Sequence, residues 1–152
     1  LPVLSKELFD FYLQFTINQD SNPYLLNEYE RQQFNWDHCA AAANVMLDWS
    51  FPDELICCVF LHHEGLKLLT DPELGKSPAA AVAVASLIPD PLRQDPNGLN
   101  QLLTLNAAWP EFNLFEIAEQ IDSELREEST AARNYLSLKN RLEKHATLIS
   151  NE

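Results

Sequence analysis

Between Asn35 and Glu64 the chain reads NWDHCAAAANVMLDWSFPDELICCVFLHHE, two helix-forming runs separated by Ser50-Phe51-Pro52. Asn35 is of a type that caps helix N-termini, and proline suits the first turn of a helix but not its interior. The spacing therefore predicts one helix over Trp36 to Trp49 and a second from Pro52 to the paired histidines. So short a connection sets the two helices antiparallel or steeply crossed. His38, near the start of the first, can then approach His62 and His63 at the end of the second, with Asp37 and Glu64 as flanking carboxylates. These five residues form the candidate site.

The 152 residues include only three glycines, and β-branched residues are sparse beside leucine and alanine. That predicts an all-α fold, a compact bundle of about six to eight helices. Acidic groups outnumber basic ones, for a net charge of −13, which argues against nucleic acid or an anionic membrane surface as a partner. The imbalance is uneven. Residues 1–128 hold six basic and 21 acidic side chains, whereas 129–152 hold four and two, so a C-terminal segment distinct from the body is expected from 129 onward. No apolar run reaches the length of a bilayer span and no targeting segment is visible. Cys39, Cys57 and Cys58 cannot all pair within one chain and all fall in expected helices, which fits a reducing, cytoplasmic setting. Cys58 and His62 are four residues apart on one helix face, a spacing that would allow two zinc ligands, although buried cysteine is commonly a small hydrophobe.

In order along the chain, an amphipathic helix is expected over residues 4–18, with Leu8, Phe11, Tyr12 and Phe15 inward, and a second from Tyr24 to Phe34 whose polar face holds Glu28, Glu30 and Arg31. The helix reaching His63 is apolar nearly all round and should be central. A punctuated loop follows, with at most a short turn at Leu66 to Leu69. Ser77 and Pro78 open a fifth helix through Ile88, whose alanines favour helix over strand. Shorter helices are expected at Leu99 to Ala108 and after Asn113, where Glu116 completes a capping box. A last helix runs from about Thr130 to Ile149, and His145 within its stripe has no assigned role.

The segment EYERQQFNWDHCAAAANVMLDWSFPDELICCVFLHHE resembles the second half of an HDOD domain, the output-type relative of HD phosphohydrolases in bacterial signalling proteins. Phe34, Asp37, His38, Trp49, Pro52, His62 and His63 occupy its pattern, with Phe51 where leucine is usual. The resemblance covers roughly residues 1–125 and implies an HD-like bundle forming the C-terminal part of such a domain. In metal-binding relatives, including the HD-GYP phosphodiesterases, positions like His38, His62, His63 and Glu64 are ligands, joined by an upstream His-Asp dyad and a later aspartate. No such dyad is present, and Ser86 stands where the aspartate would be.

The resemblance thus implies a degenerate metal site and a non-catalytic regulatory module that acts through a protein partner or neighbouring domains, with self-association through uncovered helix faces. The alternative is a phosphohydrolase acting on a nucleotide or cyclic di-nucleotide, its missing ligands supplied from outside this chain. No cofactor and no tight metal are expected. Adjacent helical residues point about 100° apart, so His62 and His63 should not share one ion. Were a metal bound, its ligands would be His38, His62 and His63.

Overall fold

The computed structural model describes residues 6–18, 24–89, 95–128 and 137–149. Among these, eight α-helices and three short 3-10 helices make up the regular structure and there is no strand. The all-α expectation holds. The chain divides into two compact units, Leu1–Pro96 and Asn97–Glu152. The change of character expected at 128/129 borders residues outside those described, and the expected helix starts at 4 and 130 lie outside them.

The first unit begins with α1 (Lys6–Ile17) and α2 (Leu26–Phe34). Phe15 is buried, and Phe11 stacks on Tyr29 with ring centroids 4.7 Å apart. Glu28 accepts the Leu25 N–H at 3.1 Å, which starts α2 two residues later than expected. Asn35, expected to open the next helix, instead closes this one. It adopts the left-handed conformation (φ 60°) and donates its N–H to the Arg31 carbonyl. Asparagine serves both ends of helices, and its tolerance of positive φ decided between them here.

Asp37 is the true N-cap of α3 (His38–Asp48), accepting the Ala40 N–H at 2.8 Å. Ser50, at φ 57°, turns the chain after α3, and Pro52 caps α4 (Asp53–Leu61). Helix α4 packs against both α3 and α5 (Pro78–Ala85), the central place expected. It is not buried all round, because Leu55 and Phe60 are exposed. The alanines Ala79, Ala80 and Ala83 of α5 are buried against Cys58 and Leu68, and their small side chains allow the close helix approach. Helix α5 stops three residues short of the expected Ile88. Ser86 there donates its hydroxyl to the carbonyls of Ala83 and His62, diverting the chain into a turn. Between α4 and α5 lie 3-10 helices at Gly65–Thr70 and Leu74–Lys76.

The second unit holds α6 (Gly98–Ala108), α7 (Leu114–Glu128) and α8 (Leu138–Ile149). A 3-10 turn at Pro110–Phe112 precedes α7, and the Asn106 side chain accepts the Leu114 N–H at 2.8 Å. Asn113 does not supply the side-chain cap expected of it. Its backbone carbonyl accepts the Glu116 N–H while its amide donates to the Glu116 carboxylate. Helix α8 packs on α6 and α7 with Leu138 and Leu142 buried. Asp122 of α7, buried, accepts the N–H groups of Leu138 and Lys139 and the Ser137 hydroxyl, thereby capping α8 from a different helix. His145 reaches Asn100 of α6, Nε2 to Oδ1 2.6 Å.

Candidate functional site

Two helix ends build the site: the N-terminus of α3 supplies His38 and Cys39, and the turn after α4 supplies His62 and His63. The capping of α3 by Asp37 fixes the backbone at His38. Asp37 is itself buried and paired with the Arg31 guanidinium, and its other oxygen is held by the Ala40 N–H. The carboxylate that does reach His38 is Glu30 of α2. It is wholly buried (0% exposed), and its Oε2 accepts both the His38 backbone N–H at 2.8 Å and the His38 ring Nδ1–H at 2.6 Å. Its other oxygen accepts the Tyr12 hydroxyl at 2.7 Å.

The expected divergence of His62 and His63 does not occur. Helix α4 ends at Leu61, and the two histidines lie in a turn beyond it. His62 keeps helical dihedrals there (φ −63°, ψ −20°), yet the two ring centroids come within 4.1 Å of each other. His62 Nε2 lies 3.3 Å and His63 Nε2 3.0 Å from His38 Nε2. Cys39 Sγ lies 3.7 Å from the same nitrogen. One donor atom from each of His38, Cys39, His62 and His63 falls within 4.8 Å of all the others.

The cysteine in this group is Cys39, not Cys58, which packs with Leu68 and the α5 alanines. Cys39, Cys57 and Cys58 form no disulfide. Glu64 turns away to pair with Lys67 at 2.7 Å, so of the five expected site residues only the three histidines converge. Glu30, Tyr12 and Cys39 complete the site.

The electrostatics follow from this packing. Burial disfavours the His38 imidazolium, but the hydrogen bonds to Cys39 and Glu30 outweigh it and raise the group to about 10. The contact with Cys39 raises His62, against its burial. Burial opposes ionisation of Cys39 and Glu30 too, yet the imidazoles lower the thiol, and His38 and Tyr12 hold Glu30 below the ordinary range. Tyr12 is raised by burial and by the Glu30 carboxylate. The cluster thus shares cations and anions over a few ångströms, the circumstance in which such shifts gather at functional sites.

Beside the cluster, an open apolar groove of about 520 Å³ runs between α4 and α5. Leu55, Val59, Val82 and Ala85 line it together with His62 and Ser86. Among the described residues no helix is long and apolar enough to cross a membrane. No family model, curated protein or solved structure matches this chain.

Proposed function

We propose that this chain is an HDOD-like, non-catalytic regulatory module that acts through a protein partner or a neighbouring domain. What carries this reading is the condition of the carboxylates near the histidines. A metal-dependent phosphohydrolase needs an open ligand position for water and, in two-metal centres, carboxylates that bridge or act as base. Glu30 spends both oxygens on Tyr12 and His38, Asp37 both on Arg31 and Ala40, and Glu64 turns one to the exposed Lys67. Ser86 meets the His62 backbone with a hydroxyl. Neither buried carboxylate beside the histidines is left to activate water.

The surface supports interaction. Trp49 (71% exposed) and Phe60 (52%) stand outward with Val45, Leu47, Phe51 and Leu55 around the α3–α4 turn and α4. A concentration of large apolar side chains on one element pair is a usual mark of a protein-binding face. Light scattering at micromolar concentration should show species above the 17.3 kDa monomer, reduced by Phe60→Glu and Trp49→Glu with helicity unchanged. A monomer throughout, indifferent to both substitutions, would remove self-association from the reading.

A second reading is favoured by the convergence of three imidazole nitrogens: an HD-type phosphohydrolase acting on a nucleotide or cyclic di-nucleotide, with further ligands from outside this chain. It predicts phosphodiester turnover that the regulatory reading forbids.

A further inference from the structure

Hydrogen bonding fixes the protons of two imidazoles. His38 Nδ1 faces the Glu30 carboxylate at 2.6 Å, and His62 Nδ1 faces the Val59 carbonyl at 2.6 Å. Both partners only accept, so each Nδ1 carries hydrogen and each neutral ring presents a lone pair at Nε2. Those two nitrogens face one another at 3.3 Å. Two such lone pairs cannot face each other unshared, so either a proton or a metal ion lies between them. His63 Nε2 and Cys39 Sγ lie 3.0 and 3.7 Å from the same His38 Nε2, and all four donor atoms fall within 4.8 Å of one another.

These separations have a recognisable scale. Ligands at about 2.0–2.1 Å (nitrogen) and 2.3 Å (sulfur) around a tetrahedral zinc ion stand roughly 3.3 Å apart for nitrogen pairs and 3.6 Å for nitrogen and sulfur. A single proton would satisfy one pair of the four donors, whereas a tetrahedral ion engages all of them. Three imidazoles and one thiolate, with no carboxylate among the ligands, suit a borderline-soft ion rather than magnesium, calcium or manganese. The surroundings also fit. Glu30 and the Val59 carbonyl hold the outer ring nitrogens, as hydrogen-bond partners of metal-bound histidines do. The three histidines are partly exposed and Cys39 is buried, so an ion can enter from the imidazole side.

We propose that His38, Cys39, His62 and His63 bind one Zn²⁺ in a closed tetrahedral site that fastens the start of α3 to the turn after α4. The site differs from a catalytic centre because the protein fills all four positions and leaves none for water. It stands on ligand geometry and does not depend on the regulatory reading. The expectation of no tight metal weighed three imidazoles and poorly placed carboxylates and left Cys39 out, whereas the four donor atoms here lie within 4.8 Å of one another.

The test uses the full chain stripped with a chelator and titrated with Zn²⁺ by calorimetry, then with Co²⁺ by absorption. The expected result is one ion per chain, raised thermal stability, the intense visible bands of tetrahedral Co²⁺ and a sulfur-to-cobalt charge-transfer band. Cys39→Ser should abolish that band and weaken Zn²⁺ binding, whereas Cys57→Ala, at an exposed cysteine outside the cluster, should change neither. Glu30→Gln, acting through His38, should weaken binding roughly 10–100-fold while preserving the tetrahedral spectrum. No Zn²⁺ uptake by the unsubstituted chain, the outcome for a proton-filled cluster, would overturn the proposal. So would an octahedral cobalt spectrum, or binding indifferent to Cys39→Ser, and neither the uptake nor the spectrum requires a variant to fold.

Discussion

Glu30 Oε2 accepts from both the backbone N–H and the ring Nδ1–H of His38, at 2.8 and 2.6 Å, so one buried oxygen fixes the start of α3 and the orientation of its imidazole. The same carboxylate holds the Tyr12 hydroxyl of α1. Three helices therefore meet at one side chain. Removing it strands several polar groups at once, which costs more than the bonds themselves. Glu30→Ala should destabilise the chain by about 3–5 kcal/mol. Tyr12→Phe, which removes one bond to a charged acceptor, should cost about 1.5–3 kcal/mol. Urea unfolding of both variants gives the comparison, and equal costs would show that Glu30 does not join the helices as described.

Acid should weaken the first unit through Glu30 and Asp37. Burial disfavours both charged forms, but hydrogen bonds from His38 and Tyr12 lower Glu30, and the Ala40 N–H and the Arg31 guanidinium lower Asp37. A carboxyl lowered in the folded state contributes stability above its unfolded value, and that contribution fades as pH falls through the folded one. The unfolded values are 4.5 for Glu30 and 3.8 for Asp37. Unfolding free energy attributable to these groups should hold above about pH 5 and decline progressively below it. The decline should shrink in Asp37→Asn, whose reference stability at neutral pH is already lower. Denaturant titrations across the acid range, compared between the two proteins, measure the difference.

Asp122 should matter in the second unit as Glu30 does in the first. It lies on α7 yet accepts two N–H groups and a hydroxyl at the start of α8. Asp122→Ala leaves those donors buried and uncapped, for a loss of about 2–3 kcal/mol. Limited proteolysis should then release α8 earlier than from the unsubstituted chain. Release at an unchanged rate would mean that burial of Leu138 and Leu142 alone holds the helix.

Gly75 is required by close backbone approach. A Cβ placed there would lie 2.7 Å from the Leu69 carbonyl oxygen, and a backbone atom cannot rotate away as a side chain can. Gly75→Ala should cost about 1–3 kcal/mol. A thermal melt matching that of the unsubstituted protein would show that the two 3-10 segments separate readily.

Helix class and order were legible because few residues in this chain favour anything else, and the Pro52 and Pro78 starts follow from one property of proline. The site was legible only in part. His38, His62 and His63 stood out by spacing, but regular helical geometry sets neighbouring side chains apart and gave no sign that both rings would turn to His38. Glu30 lay on what periodicity assigns to the solvent face. An amphipathic pattern treats every charge as outward and cannot register donors from two other helices, Tyr12 of α1 and His38 of α3, closing on one carboxylate. Cys39 was obscured by the opposite habit, that a cysteine among alanines is read as packing. Asp122 likewise gave no local sign, since the helix it caps starts 16 residues later.

The regulatory reading rests on the absence of chemistry at the histidine cluster, and turnover measures that directly. The full chain, incubated with Mn²⁺ and separately with Zn²⁺, is assayed against bis(p-nitrophenyl) phosphate and a cyclic di-nucleotide. The account predicts release no faster than with metal and buffer alone, and identical traces for the chain and its His38→Ala variant. Turnover above background that disappears in both His38→Ala and His62→Ala would contradict it and make the cluster an active site.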